Sequence, residues 1–423
     1  MKKILGLFFM LTTCIFAREV TLEEAIQLSV DNSKGIKISE KDVQASKIKV
    51  SMAFKNALPS VTYEGTYTHG ESEREMYGKD WKEVDDKDGY SQSFTISQPI
   101  FHGGAIVNNI INSRIERDIS ELMFLGEKRD IRLETIQNYS NIVKYNKDLS
   151  VLFSSKKELE EDYKRQKEKL KLRLITKTDM LKTEYSILDI ETQITQIQNA
   201  IAIEKENLRI KTGIPKAEEI EVVEFDVPKY LSKNIDFNKD MEQALNESIN
   251  ALIAEKNVES AEANKKIARA DMLPQVNAFA SYGTYTENSK YDATIEDGEW
   301  RGGIKISWNI FEFGKNYDNY KVSSISEQQE MLREEDTKDN IDVDVKEAYL
   351  ELIRMEKDRD SKERAMEAAI ENFRMDHARY NEGLISTVDY LLSETQMREA
   401  KVNYNQVVID YLYAFEKYRS LLI

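Results

Sequence analysis

The chain has 423 residues, a net charge of -16 and a composition that is 41% hydrophobic and 32% charged. With 16 glycines and 5 prolines it is neither collagen-like nor low-complexity nor dense in turns, so long regular segments are implied. Its acidic balance, and the lack of a basic stripe interleaved with aromatics, exclude a nucleic-acid-binding surface.

At the N-terminus Lys2 and Lys3 precede an apolar run from Ile4 to Leu11, and Ala17 precedes the polar pair Arg18-Glu19. This pattern predicts a signal peptide over residues 1–17 in an exported chain. A competing lipobox-like reading is Leu11-Thr12-Thr13-Cys14. Cys14 is the only cysteine, so cleavage after Ala17 leaves no thiol for a disulfide, a thiolate metal site or a nucleophile. No later run of 18 apolar residues exists, so no membrane-spanning helix is expected.

The remaining chain reads as an internal duplication. Leu22-Glu23-Glu24-Ala25 returns as Met241-Glu242-Gln243-Ala244, and Ala57-Leu58-Pro59 returns as Met272-Leu273-Pro274. Ile96-Ser97-Gln98-Pro99-Ile100-Phe101 returns as Ile306-Ser307-Trp308-Asn309-Ile310-Phe311. Leu174-Ile175-Thr176-Lys177-Thr178-Asp179-Met180-Leu181 returns as Leu384-Ile385-Ser386-Thr387-Val388-Asp389-Tyr390-Leu391. The expected division is a first repeat over 18–217 (helix, β-hairpin, long helix, return helix), a linker or equatorial segment over 218–238, and a second repeat over 239–423.

In each repeat a helix gives way to a two-residue period. Val61, Tyr63, Gly65 and Tyr67 alternate with polar neighbours, as do Phe94, Ile96, Gln98 and Ile100. In repeat two, Ile304, Ile306, Trp308 and Ile310 share a face, and their partner strand runs from about Gln275 to Thr286 with weaker alternation, Phe279 and Tyr285 falling on the polar side. Pro59 and Pro274 lead into the hairpins, whereas Gly103, Gly104 and Gly314 hand strand over to helix, where positive φ or close approach is needed. Strands of roughly 9 to 12 residues with one apolar face, in an exported chain, read as outer-membrane barrel wall. Tyr63, Tyr67, Tyr282, Trp300 and Trp308 are the candidates for its interfacial girdle.

Four strands cannot close a barrel, because an unpaired edge in lipid costs several kcal/mol per polar group and the smallest barrels need about eight strands. Cyclic symmetry makes a twelve-stranded barrel shared by three chains the simplest solution. The hairpin tips are acidic, residues 71–88 holding Glu71, Glu73, Glu75, Asp80, Glu83, Asp85, Asp86 and Asp88. Residues 287–299 add Glu287, Asp292, Glu296, Asp297 and Glu299. Asp86-Lys87-Asp88-Gly89 fails as a calcium loop, since Val84 and Thr95 stand at its first and twelfth ligand positions, and both tips read as solvated loops.

No proline interrupts Gly103 to Lys211 or Gly314 to Ile423, so both stretches are free to be helical. Ile187, Ile190, Ile194, Ile197 and Ile201, and Tyr404, Val408, Tyr411, Phe415, Tyr418 and Leu422, step by threes and fours as heptad seams. Each stretch breaks once, at Thr176-x-x-Asp179 and Ser386-x-x-Asp389, which read as capping boxes that restart a helix. Threefold repetition would also gather these carboxylates around one aperture and favour cations. His69, His102 and His377 lie far apart, and no nucleophile elbow, dinucleotide fingerprint or metal-ligand spacing occurs; neither enzymatic activity, cofactor nor metal is expected.

The order of these motifs, the Leu-Pro lead-ins and Tyr380-x-x-Gly383-Leu384-Ile385-Ser386-x-x-Asp389-Tyr390-Leu391 resemble the TolC-like outer-membrane efflux proteins over essentially the whole mature chain. The resemblance implies a mainly α protein with a membrane β part: a homotrimer in which long antiparallel coiled-coil helices form a periplasmic α-barrel below a shared twelve-stranded transmembrane β-barrel. It implies an exit duct of a tripartite efflux or type I secretion system, docked to a periplasmic adaptor protein and an inner-membrane pump. Asp389, Asp179, Tyr380, Gly383, Ser386 and Thr176 would then lie at the periplasmic tip and its aperture. Two features depart from the family: Leu392 stands where a second entrance acid is expected, and Ile385 where its prototype has arginine. The reading from another class is a non-conducting periplasmic coiled-coil scaffold or adhesin.

Overall fold

The computed structural model describes residues 17–69, 74–77, 79–83, 89–287 and 298–423. The expected leader, apart from Ala17, and Cys14 lie outside the described residues, as does most of both acidic tips. In chain order the elements are β1 (Ala17–Val20), α1 (Leu22–Asn32), α2 (Lys34–Lys55), β2 (Ser60–Thr68), β3 (Arg74–Tyr77), β4 (Asp80–Glu83) and β5 (Gly89–His102). There follow α3 (Ala105–Lys171), α4 (Lys177–Thr212), β6 (Glu219–Val222), a short 3-10 turn (Leu231–Asn234), α5 (Phe237–Glu247), α6 (Ile249–Ala270), β7 (Gln275–Glu287), β8 (Glu299–Ser307), α7 (Lys315–Asn381) and α8 (Thr387–Ser420). Both α3 and α7 have 67 residues. The chain divides into a unit of residues up to 40, 123–251 and 338–423, and a second of residues 41–122 and 252–337.

The second unit holds an antiparallel sheet in the order β2-β5-β7-β8. Its register sorts the two faces. Rows Tyr63–Phe94–Tyr282–Trp300, Val61–Ile96–Ala280–Gly302 and Phe101–Val276–Ile306 stack along one face. Thr62–Thr95–Ser281–Arg301, Glu64–Ser93 and Asn277–Lys305 occupy the other. In the first row neighbouring rings sit 4.9 Å (Tyr63–Phe94) and 5.0 Å (Tyr282–Trp300) apart, and Tyr67 meets Tyr90 at 4.8 Å. Such cross-strand aromatic pairs fix register as well as bury area. Every described residue of β2 and β8 is exposed, and among the described residues neither strand pairs on its outer side.

Three expectations change. The apolar alternation of the last strand does not reach Trp308 and Ile310, because β8 ends at Ser307 opposite Gln275, and the next residue on β7's side is Pro274, which has no N–H for the ladder. Trp308 instead donates from Nε1 to the Met272 carbonyl at 3.0 Å. Ile100 leaves the alternation too, since a bulge between Pro99 and Phe101 shifts the register there. The first acidic tip is not wholly loop: β3 and β4 form their own antiparallel ladder inside it.

At the strand-to-helix junctions Gly103, Gly104 and Gly314 have φ of 61°, 91° and 87°. A Cβ on Gly103 would come within 2.6 Å of the Ala270 carbonyl oxygen, whereas one on Gly314 meets nothing within 4 Å. Gly314→Ala is therefore expected to cost only the conformational penalty of about 1–2 kcal/mol. Gly103→Ala adds a backbone clash, so its thermal midpoint in detergent is expected to fall at least twice as far; equal losses would show that the close approach is not real.

In the first unit α3, α4, α7 and α8 supply one core of Leu152, Leu159, Ile190, Ile194, Phe373, Tyr380, Tyr390, Leu391 and Met397. Of the isoleucine seam on α4, Ile190 and Ile194 are buried there with Ile187 and Ile197 packed alongside. Tyr411 and Tyr418 of the α8 seam are fully buried in two further clusters. A parallel pair, β1 with β6, closes a fourth cluster; the Tyr139 hydroxyl lies 2.8 Å from the carbonyls of both Val20 and Val223, and its one proton serves them in turn.

Candidate functional site

The two helix breaks are built alike. After α3, Leu174 N–H bonds to the Lys169 carbonyl and Arg173 N–H to Leu170; after α7, Leu384 N–H bonds to Arg379 and Gly383 N–H to Tyr380. Both are Schellman closures, with Arg173 and Gly383 taking the left-handed position at φ 59° and 75°. The next helix starts with a capping box in each case. Thr176 Oγ1 and Ser386 Oγ each accept from the amide of Asp179 or Asp389 at 3.2 Å. Oδ2 of the same aspartate accepts the cap residue's amide at 3.3 Å and its hydroxyl at 2.6 or 2.7 Å. Only Oδ2 of each carboxylate takes part in the cap. The first turn carries Lys169, Lys171, Arg173 and Lys177 with Glu168, which pairs with Lys171 at 2.7 Å, while the second carries Arg379 and Glu382 with Asp389. Leu172, Leu174 and Leu384 stand about 70% exposed at the turns.

Tyr380, singled out in the sequence, turns inward. Its ring stacks on Tyr390 at 4.4 Å, and its hydroxyl donates to Asp162 Oδ2 at 3.3 Å and accepts from Gln166 Nε2 at 2.8 Å. Gln166 Nε2 also lies 2.7 Å from Asp162 Oδ2 and 2.9 Å from Thr183 Oγ1, so its two protons are shared among three acceptors in one polar knot that joins α3, α4 and α7. Beside it, Glu158 lies 3.6 Å from His377 Nδ1, and Glu394 lies 3.4 Å from Arg398, whose Nη1 reaches Gln193 Oε1 at 2.8 Å. Asp162, Gln166, Glu158, His377, Glu394 and Arg398 were not foreseen as functional residues. The signal was present: Leu152, Ser155, Leu159, Asp162 and Gln166 step by threes and fours, and the isoleucine seam extended back four residues from Ile187 lands on Thr183. Polar residues at seam positions must find partners inside.

Burial raises the carboxyls of Asp162 and Glu158 above the usual range, against the pull of Arg165 and of His377 respectively. Each therefore binds its proton more readily in the folded chain than in the unfolded one. Their contribution to stability is full below the ordinary carboxylate pKa and is lost as pH rises through the raised folded value. Asp162→Asn, which fixes the neutral form, is expected to flatten that part of the profile. Thermal midpoints of the detergent-solubilised protein between about pH 4 and pH 7 check this: wild type should gain on the variant as pH falls, and parallel curves would refute it.

Of the remaining candidates, Tyr63, Tyr282 and Trp300 share one row and Tyr67 pairs with Tyr90, whereas Trp308 lies beyond the strand end. Pro59 and Pro274 immediately precede β2 and β7. Among the described residues no group of metal-ligating side chains gathers, and no helix is long and apolar enough to cross a membrane.

The chain matches the model of the outer membrane efflux protein family over residues 25–213 and 241–422. No curated protein sequence matches it. Its fold is similar to that of the Campylobacter jejuni CmeC outer membrane channel, with a TM-score of 0.83 at 14% identity over 95% of this chain and 85% of that one. The outer membrane protein VceC of Vibrio cholerae matches with a TM-score of 0.79 at 13% identity over 95% of both chains. The open-state MtrE outer membrane channel of Neisseria gonorrhoeae matches with 0.75 at 16% identity over 95% and 88%. The two matched segments together take in well over half of the chain, and the chain belongs to the outer membrane efflux protein family, as an outer-membrane channel with a large periplasmic helical portion.

Proposed function

We propose that the mature chain, freed of residues 1–17, assembles as a homotrimer and forms the exit duct of a tripartite efflux or type I secretion system. The observation that carries this is the four-stranded sheet with one apolar face and two open edges. In lipid such edges must be paired, and β2 of one copy against β8 of the next is the pairing that leaves none over. The 18–217 and 239–423 repeats then alternate around the ring, with 218–238 between them as a belt.

On this reading the two turns form the periplasmic tip. Leu172, Leu174 and Leu384 offer the apolar surface on which an adaptor protein would seat, and an inner-membrane pump would select the cargo. Asp389 supplies the acidic aperture, since the lysines and arginine of the first turn offset Asp179. Tyr380 and Gly383 shape the turn, and Thr176 and Ser386 hold the helix starts.

Native mass spectrometry and planar-bilayer recording test the proposal. Three chains per particle and a cation-preferring conductance are expected. Asp389→Asn, which removes charge but keeps a cap acceptor, is expected to weaken the preference while leaving the trimer intact. A monomer without conductance would favour the non-conducting scaffold, and unchanged selectivity would remove Asp389 from the aperture.

A further inference from the structure

Within the first unit, residues 226–229 form a strap held by Arg359, whose Nη1 and Nη2 donate to the carbonyls of Pro228 and Val227 at 2.7 and 2.9 Å. Beside this strap is a cavity of about 320 Å³ whose wall carries Lys144, Lys147, Lys229 and Arg359 against one carboxylate, Asp226. In a chain of net charge -16 that excess is unusual. Lys229 is neutralised by Glu363.

The other three cations are not. Among the described residues none of Lys144, Lys147 and Arg359 has a carboxylate at ion-pairing distance. Lys144 is 9% exposed, reaches Gln406 Oε1 at 2.6 Å and lies over the Tyr145 ring at 4.2 Å; Arg359 is 5% exposed and lies over the Tyr411 ring at 5.4 Å, and among the described residues its buried Nε has no hydrogen-bond partner. Asp148 accepts from the Asn405 amide and Asp410 from the Gln406 amide, at 2.7 Å each, and neither makes a direct ion pair with Lys144. Burial lowers the Lys144 ammonium against the pull of Asp148, Asp410 and Glu204. Arg359 keeps one buried nitrogen without a partner among the described residues and shares the wall with three lysines, and an oxyanion accepting from guanidinium and ammonium donors is the chemistry that suits such a wall.

We infer that this cavity binds one small oxyanion of the hydrogen phosphate class, held by Lys144, Lys147 and Arg359. The volume admits such an ion and excludes a peptide or an extended cargo molecule. Asp226 on the wall suits hydrogen phosphate, whose hydroxyl can donate to a carboxylate. The bound ion ties the strap to α3 and α7, a role independent of what the duct carries.

The test is equilibrium dialysis of the full chain in detergent against labelled inorganic phosphate at constant ionic strength set with chloride. Saturable uptake of one phosphate per chain is expected. Lys147 is only half-buried, so Lys147→Ala should fold, and loss of one charge-assisted contact is expected to weaken uptake by about tenfold or more. Lys147→Arg should retain most of it, and Lys171→Ala, at an exposed position near the turn, should change nothing. Unsaturable uptake, or equal uptake by wild type, Lys147→Ala and Lys171→Ala, overturns the site.

Discussion

A lysine at Ile96 is expected to abolish stable barrel assembly, whereas a lysine at the adjacent Thr95 is expected to leave it nearly unchanged. The two residues are neighbours on β5 and face opposite ways. Ile96 lies in the row with Val61 and Ala280, on the face that carries Tyr63, Phe94, Tyr282 and Trp300. Thr95 lies between Thr62 and Ser281 on the face that carries Glu64, Lys305 and Arg301. From the Tyr67–Tyr90 row, opposite Thr286, to the Val276 row is ten residues, roughly 33 Å of strand, and Ile96, opposite Ala280, sits six residues from one end and four from the other, near mid-depth of the apolar band.

A lysine there costs about 2–4 kcal/mol per chain, while near the interfaces or toward a wet lumen the same charge costs little. In the proposed trimer three copies multiply the penalty to an amount comparable with the whole stability of a domain. Heat-modifiable mobility on gels and recovery from the outer-membrane fraction read the result. Ile96→Lys should lose both and Thr95→Lys should keep both. Equal behaviour of the two would mean that the lipid and lumen faces have been assigned wrongly, or that the sheet does not stand in lipid at all.

That face assignment was legible in the residues because period-two alternation is a local signal, and so were the helix breaks, since Thr176-x-x-Asp179 and Ser386-x-x-Asp389 each carry a complete cap within four residues. What was not legible depends on pairing between distant segments. Nothing within Ala17–Val20 announces a strand, because its reason to extend is Glu219–Val222, about two hundred residues away. The early end of β8 is set by Pro274 on the opposite strand rather than by Trp308 itself. The acidic tip concealed β3 and β4 because charge density reads as solvation, and a ladder needs only backbone. The polar knot under the turns was overlooked for the opposite reason: its residues sit in regular seam positions, and a search for apolar periodicity steps over an aspartate or a glutamine that obeys the same spacing.

Arg398→Met alone is expected to destabilise the helical unit by about 3–5 kcal/mol, and Glu394→Leu combined with Arg398→Met is expected to return most of that loss. Glu394 is 1% exposed, and among the described residues neither of its carboxylate oxygens has a hydrogen-bond partner. Arg398, 3.4 Å away on the next turn of α8, is the one cation at ion-pairing distance among the described residues, and it also reaches across to Gln193 on α4. Removing the arginine leaves a carboxylate with no counter-charge in a site walled by Tyr390 and Met397, so the full desolvation penalty is exposed. Removing both groups replaces a poorly bonded pair with apolar volume, which is commonly neutral or stabilising. Thermal unfolding in detergent of the two single variants and the double variant measures the coupling. A double variant as unstable as Arg398→Met would mean that the arginine acts through packing and its bond to Gln193 alone. If the double variant does recover, the pair cannot be present for stability. Its remaining use is to hold α8 in register against α4, at the level where Tyr390 meets Tyr380 and the turn geometry of both repeats is set.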